Sequence, residues 1–265
     1  MLRSLIALSA LFLPCLQGIG QLRQVGETIV STPGGWQERV ENLANSPIVA
    51  LHATFRCPKE EEGPKFNAEI RFDGLVAYGT EKPIPPRSTS DIPMQPWAID
   101  CPGGVDAVIF ANGQSDGDED VLKQMYQMRS GVYEGLIFAE KLVDTIANSG
   151  ADPRVVASDL RSQAGAVNKD PGLSEAKHRG ETLALGVVAT LLEGQHDLPV
   201  PSDKTPRHQE TIEQVMKEKK ISYQQAHAIV IGKKLREWST ALEGNLQPAS
   251  AGDTDTAPTP KPNSQ

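Results

Sequence analysis

The pentapeptide Gly113-Gln114-Ser115-Asp116-Gly117 is the segment of this chain whose residue types most directly suggest chemistry. Its G-x-S-x-G pattern is typical of the nucleophile elbow of serine hydrolases, where a serine on a sharp strand-to-helix turn attacks a carbonyl carbon. An apolar stretch precedes the pentapeptide and a helical pattern follows it. The carboxylates and imidazoles that follow in the chain order of a triad are Asp144, Asp152 and Asp197, then His208 and His227.

The surroundings of Ser115 argue against this chemistry. Short strand patterns precede the motif and only helical patterns follow it, whereas an elbow of this type belongs to a parallel sheet with strands on both sides. The acidic residues Asp116, Asp118, Glu119 and Asp120 would repel an oxyanion formed near Ser115. We therefore assign no catalytic residue. We expect Asp116 or Asp118 to cap the following helix, and serine hydrolysis at Ser115 remains the alternative function.

The same acidic run has the alternating carboxylates of a calcium loop, at Asp116, Asp118 and Asp120. Val121, however, occupies the position that an EF-hand loop reserves for glycine, and Gln127 occupies that of its final glutamate. A solvated helix cap explains the carboxylates better. The histidines are scattered without the close spacing of a zinc site, and His52 is expected on the outward face of its strand. We assign no metal and no cofactor.

The charge balance excludes one class of partner. The chain has 26 Lys and Arg against 34 Asp and Glu, a net charge of −8, and only 5% aromatic residues. Nucleic-acid binding needs a concentrated basic surface or stacking aromatic side chains, so we expect no nucleic-acid partner.

The first twenty residues predict a signal peptide. Arg3 precedes an uninterrupted apolar run at residues 5–13, and Gly18 and Gly20 are the small residues of a cleavage site near Gly20. The run is too short to span a membrane. A buried N-terminal helix is the alternative, and acylation of Cys15 is disfavoured by the preceding Pro14. We expect an exported protein, periplasmic or secreted, with no stable membrane span after cleavage.

Cleavage leaves two cysteines, Cys57 and Cys101, which in an oxidising compartment are expected to form a disulfide. Alternating apolar residues place Cys57 on the face of Phe55 and Cys101 on the face of Ile99. Two separate buried thiols are the alternative.

The chain divides into a β-rich part and a helical part, which makes the fold class α+β. After a lead at residues 21–35, period-two patterns predict a small antiparallel β-sandwich at residues 36–114. Its strands are expected at 36–43, 48–56, 66–79, 88–94, 97–101 and 105–111, and a break of the third strand at Asp73–Gly74 is the alternative to a continuous one.

Helical periodicity begins near Asp118, and the region 115–245 is predicted to be all-α. The first helix extends to about Ser149. Asp152–Pro153 and Asp170–Pro171 are each read as an N-cap followed by proline, Thr205–Pro206 opens a shorter helix, and Ser222 with Gln225 forms a capping box. The apolar stripe of the first helix is expected at Val121, Met125, Met128, Val132, Leu136, Ala139, Val143 and Ile146. Residues 246–265 are predicted to be disordered.

Part of the β-rich region resembles the immunoglobulin-like sandwich of uncharacterised exported bacterial proteins. The resemblance rests on a strand that ends in Asn42, a Ser-Pro turn before Ile48, a proline-rich turn at 85–88 and a closing strand at 105–111. It covers roughly a third of the chain and implies a fold but no activity.

The helical part contains small residues at matched spacing. Gly131 and Gly135 lie one turn apart in the first helix, and Ala176, Gly180 and Ala184 have the same spacing in a later one. Each interior glycine costs about 1 kcal/mol relative to alanine, and a close approach of the two helix backbones would offset that cost. We expect the two stripes to face each other, a locally tolerant or kinked helix being the alternative.

Together these features predict an exported, non-catalytic interaction or structural module of the cell envelope or exterior, with an unidentified protein partner. A small apolar ligand bound between the helices is a third possibility that the sequence neither supports nor excludes.

Overall fold

A computed structural model describes residues 22–32, 35–56, 67–73, 83–93, 103–194 and 205–247. The predicted signal peptide, Cys57, Cys101, the expected strand at 97–101 and residues 248–265 lie outside these ranges. In the described part, seven strands and five helices form a mixed α+β fold. The strands are β1 (Val25–Thr32), β2 (Gly35–Asn42), β3 (Ile48–Arg56), β4 (Asn67–Asp73), β5 (Thr89–Pro93), β6 (Gly103–Phe110) and β7 (Ser115–Gly117). The helices are α1 (Glu119–Ser149), α2 (Pro153–Val167), α3 (Glu175–Leu192), α4 (Thr205–Lys219) and α5 (Tyr223–Glu243).

The strands form two antiparallel sheets, in the orders β1-β2-β5 and β4-β3-β6-β7. Alternate residues of both sheets contribute to one hydrophobic cluster, in which Val25 and Val40 of the first sheet join Leu51, Phe55 and other residues of the second. The sequence pattern thus located β2, β3, β5 and β6 to within two residues at each end.

Buried Asn42 ties the end of β2 to the segment that precedes β5. Its amide nitrogen donates to the carbonyls of Ser46, Ile84 and Pro85 at 2.9–3.1 Å, and its oxygen accepts from the Ala44 amide at 3.0 Å. The side chain is fully used in these contacts, as a buried amide requires. Asn42 and the proline-rich turn at 85–88 are therefore in direct contact.

Two strands were missed. β1 occupies most of the predicted lead, and β7 lies in the region predicted to be helical. β1 is amphipathic only in part, since polar Glu27 shares its inward face with Val25, and this obscures the period-two pattern. β7 has three residues, too few for any periodicity to appear.

The helix starts were predicted well, with one error. Asp118 caps α1, Asp152 caps α2, and Ser222 with Gln225 forms the expected capping box of α5. The helix expected from Asp170–Pro171 instead begins at Glu175 with Ser174 as its N-cap. Asp170 accepts a hydrogen bond from the Gly172 amide at 2.8 Å, so its side chain stabilises a turn before the helix.

The expected contact between the small-residue stripes of α1 and α3 is confirmed. A methyl group added at Gly131 would overlap the Lys177 carbonyl, and one added at Gly180 would overlap the Met128 carbonyl. At Gly135 an added methyl would lie 2.9 Å from the Ala184 Cβ. The glycines are therefore needed because the two helix backbones touch.

The inward face of α1 differs from the expected stripe in its first turns. From Val132 to Ile146 the predicted residues are buried, but before them Tyr126 and Arg129 are buried, whereas Met125 and Met128 are only partly so. This part of α1 leaves the helical cluster and packs on the second sheet, where Tyr126 joins Val49, Ala50 and Ile109. The change of packing partner rotates the buried face.

Candidate functional site

The Ser115 pentapeptide forms a hairpin turn and an edge strand. The Gly113 amide donates to the Phe110 carbonyl, and the Phe110 amide donates to the Gln114 carbonyl, which closes the turn between β6 and β7. Ser115 then pairs with Ile109, and Gly117 with Ala107. A nucleophile elbow requires the serine on a turn between a strand and a helix, and this serine lies on a strand.

Both glycines of the motif have a structural reason within the hairpin. Gly113 has φ 82° and Gly117 has φ 126°, values that favour glycine. A methyl group at Gly117 would also overlap the carbonyl of Asp106 on β6. The two glycines of the G-x-S-x-G pattern are therefore explained by backbone geometry.

The predicted acidic partners of Ser115 lie far from it. Asp144 is 25 residues beyond the start of α1, which corresponds to about 37 Å of helix. Asp152 caps α2, after the far end of α1. Asp197 lies outside the described residues.

The predicted imidazole partners are not placed beside Ser115 either. The side-chain amide of Gln225, two residues before His227, donates to the Ala147 carbonyl at 3.4 Å, so His227 also lies at the far end of α1. The side chain of His208 lies outside the described residues.

A histidine–aspartate pair exists elsewhere in the second sheet. His52 Nδ1 lies 2.6 Å from Asp106 Oδ1, and the Thr54 hydroxyl donates to Asp106 Oδ2 at 2.7 Å. His52 points away from the hydrophobic cluster, as expected, but it is only 8% exposed. The register places it two strands and two residues from Ser115, a separation of about 12 Å. The pair therefore does not act on the serine in this arrangement.

Ser115 lines a cleft at the junction of the sheet and the helices, with a volume of about 720 Å³. β7 forms one wall, the first three turns of α1 form the second, and the segment after α5 forms the third. The lining residues are Ser115, Asp116, Gly117, Glu119, Leu122, Lys123, Tyr126, Gln127, Ser130, Leu246 and Gln247. The volume is within the range of protein ligand sites.

Tyr126 links the cleft to the sheet beneath it. It is 7% exposed, its hydroxyl approaches the Gly113 carbonyl at 3.5 Å, and it also hydrogen-bonds to Ser115. Burial raises the pKa of the Tyr126 hydroxyl, while the hydrogen bond to Ser115 and the charge of Arg129 partly oppose the shift. Tyr126 is therefore a neutral donor that holds the hairpin against α1.

Two acidic side chains near the start of α1 accept hydrogen bonds from backbone amides. Asp118 Oδ1 accepts from the amides of Asp120 and Val121 at 2.9 and 3.0 Å, which confirms the capping role. Asp116 Oδ2 accepts from the Arg23 amide at 2.8 Å. Within the described ranges, no group of three or more His, Cys, Asp or Glu is arranged to hold a metal ion.

Sequence reasoning identified Ser115 and its acidic neighbours but missed the cleft. Glu119, Lys123, Gln127 and Ser130 follow a helical spacing on one face of α1, which was a usable signal. The third wall, Leu246 and Gln247, belongs to the segment that the sequence predicts to be disordered. Only the return of α5 along α1 brings this wall to the site.

No family model, curated protein or solved structure matches this chain. No helix in the described part of the chain has the length and apolar content needed to cross a membrane.

Proposed function

We propose that this chain is an exported, non-catalytic binding protein, and that an extended segment of a partner protein occupies the cleft between β7 and α1. The observation that carries the proposal is the cleft itself, which has room for a ligand but places none of the described triad candidates beside its serine.

The chemistry of the cleft suits a peptide segment. Among the described strands, β7 is the edge of its sheet, so its outer backbone groups are available to pair with an added strand. Leu122, Tyr126 and Leu246 supply apolar surface. Asp116 and Glu119 supply negative charge and Lys123 supplies positive charge. A protein segment presents the same three features: backbone amides, apolar side chains and mixed charges.

In this proposal the β-rich part is an immunoglobulin-like sandwich. The support is that both antiparallel sheets contribute to one hydrophobic cluster. Residues 1–20 are proposed to be the signal peptide, and export to the periplasm or beyond follows from their apolar run.

The disulfide between Cys57 and Cys101 is part of the same proposal. The pairing of β3 with β6 ends at Phe55 opposite Gly103, and the cysteines lie two residues further along the chain on each side. The end of this pairing is therefore close in sequence to both cysteines, which supports a disulfide in an oxidising compartment. Peptide mapping without reduction should give one linked Cys57–Cys101 pair.

Site-directed photo-crosslinking tests the binding proposal. A benzophenone amino acid at Gln127, within the cleft, should give a discrete adduct with a protein in the native host. The same probe at Asp159, exposed on α2, is the matched control and should not. Adducts of equal yield from both positions, or none from Gln127, would contradict the proposal.

A fluorophosphonate probe tests the alternative. We expect no labelling of the purified mature protein at Ser115. Labelling that disappears in Ser115→Ala would establish a serine hydrolase and overturn the non-catalytic proposal.

A further inference from the structure

Two glutamates from neighbouring strands, buried Glu38 and exposed Glu27, meet at the β1 edge of the first sheet. Glu38 lies on the inward face of β2, in line with Val40 and Asn42, and is 1% exposed. Glu27 of β1 pairs in register with Val40, which makes it the diagonal neighbour of Glu38 on the same face. The carboxyl groups of Glu27 and Glu38 are hydrogen-bonded to each other.

Glu27 also reaches the second sheet. Its Oε2 accepts a hydrogen bond from the Val105 amide of β6 at 2.7 Å. The carboxylate lies over Gly104, where an added Cβ would be 2.5 Å from Glu27 Oε1. Glu27 therefore joins β1 to β6, and the missing side chain at Gly104 makes room for the contact.

A hydrogen bond between two carboxyl groups requires a proton, and the surroundings of Glu38 favour keeping it there. Among the described residues, the titratable groups that act on Glu38 are the acidic Glu27 on β1 and Asp106 on β6, and Asp106 lies 2.6 Å from His52 of β3. The residue opposite Glu38 on β5 is apolar Ile92. Arg39, the next residue of β2, is paired with Asp91 on the exposed face of the sheet.

Burial, assisted by the charges of Glu27 and Asp106, raises the pKa of Glu38 to about 7. No hydrogen-bond partner of Glu38 Oε2 is present among the described residues. Ionised Glu38 would therefore place a second negative charge beside Glu27 with one oxygen unsatisfied, which is unfavourable in a buried site.

We propose that Glu38, Glu27 and the Val105 amide form a proton-dependent bridge between the two sheets, which is closed when Glu38 is protonated and weakened when it ionises. Ionised Glu38 repels the Glu27 carboxylate. The repulsion is relieved when the Glu27 side chain moves away from β6. β1 is then held by its pairing with β2 and by Val25 in the shared hydrophobic cluster, and it loses its hydrogen bond to β6.

The sign of the pH dependence follows from proton linkage. The folded protein keeps the proton on Glu38 to a higher pH than the unfolded chain does, where the carboxyl has its ordinary pKa near 4.5. The stabilisation is complete below that value and is lost as the pH rises through about 7. Across this window the folding equilibrium constant should fall by up to about tenfold per pH unit from this group.

The experiment compares Glu38→Gln with Glu41→Gln. The glutamine side chain of the Glu38→Gln variant keeps a donor for Glu27 but cannot ionise, whereas Glu41 is an exposed carboxylate on the same strand. Urea midpoints measured from about pH 5 to 8.5, the range that brackets the titration, should fall with pH in the wild type and in Glu41→Gln, and should fall clearly less in Glu38→Gln. Hydrogen exchange at Val105, corrected for its intrinsic pH dependence, should become faster above about pH 7 in the wild type but not in Glu38→Gln.

Glu27→Gln, a change at an exposed position, is the second variant if Glu38→Gln does not fold. It removes the charge that faces Glu38, so the pH dependence should again be smaller than in the wild type. Parallel pH profiles for wild type, Glu27→Gln and every folded Glu38 variant would overturn the proposal. Exchange at Val105 that does not change around neutral pH in the wild type would overturn it as well.

Discussion

The contact between α1 and α3 and the contact between β1 and β6 both depend on glycine to allow a close approach. What fills the space that the glycine leaves differs between them. In the first, glycines remove side chains until two helix backbones touch, as at Gly131 and Gly180. In the second, Gly104 removes a side chain so that a carboxylate can fill the space and bond to the Val105 amide. The first contact is specified by shape. The second is specified by a hydrogen bond whose environment depends on a proton.

The two contacts should therefore tolerate different substitutions. A backbone carbonyl within a packed helix cannot move away from an added methyl group without moving the helix. A glutamate side chain can rotate away, at the cost of its hydrogen bond. Equal substitutions in the two places should therefore have unequal effects.

The largest expected effect is that of Gly180→Ala. The added methyl overlaps the Met128 carbonyl, so α1 and α3 must separate, and we expect the free energy of unfolding to fall by about 3 kcal/mol. Gly186→Ala is the control in the same helix, because nothing lies within 4 Å of its added methyl. It should stabilise the protein by about 0.5–1 kcal/mol through helix propensity. Urea denaturation measures both, and a stabilised Gly180→Ala would show that the helices do not touch there.

Gly104→Ala should have the intermediate effect. The added methyl displaces the Glu27 carboxylate from the Val105 amide, and we expect a loss of about 1.5 kcal/mol, the net value of a hydrogen bond to a charged acceptor. Its control is Gly26→Ala on β1, whose methyl would lie 3.3 Å from the Glu41 side chain, a contact that a small shift relieves. That variant should stay within about 0.5 kcal/mol of the wild type.

The same Gly104→Ala variant also tests how the contact between β1 and β6 depends on pH. Once Glu27 has left the bridge, the stability of the variant should depend less on pH, between about 5 and 8, than that of the wild type. A Gly104→Ala protein with the full wild-type pH dependence would show that Glu38 titrates independently of the contact with β6.

Local signals in the sequence predicted most of the helices and strands but not the contacts between segments that are distant in the chain. The caps at Asp118, Asp152 and Ser222 depend on neighbouring amides, so their residue types were sufficient. The small residues of α1 and α3 were also informative, because an interior glycine has a cost that packing must offset.

The contact between Glu27 and Glu38 could not be predicted from the sequence, because it depends on strand register. The cleft could not be predicted because it depends on the packing of α5 along α1. Glu38 occupies an inward strand position at which sequence patterning expects an apolar residue. Its partner Glu27 belongs to a strand that was not predicted at all. Ser115 was identified from a motif, but the Phe110–Gln114 turn that places it on a strand is set by the backbone of Gly113. The motif suggested a chemistry that its local geometry does not support.

The smallest expected effect concerns the start of α1, where the sheet, the cleft and the helices meet. Asp118→Ala removes the acceptor of the Asp120 and Val121 amides, and we expect a loss of about 1 kcal/mol, typical of a helix N-cap. Asp120→Ala is the matched control. It removes an acidic side chain of the first turn and leaves the Asp118 cap in place, so it should cost only a few tenths of a kcal/mol. Hydrogen exchange at residues 119–123 should accelerate in Asp118→Ala and change little in Asp120→Ala. Equal acceleration in the two variants would mean that the negative charge near the helix end, rather than the capping hydrogen bonds, holds this wall of the cleft in place.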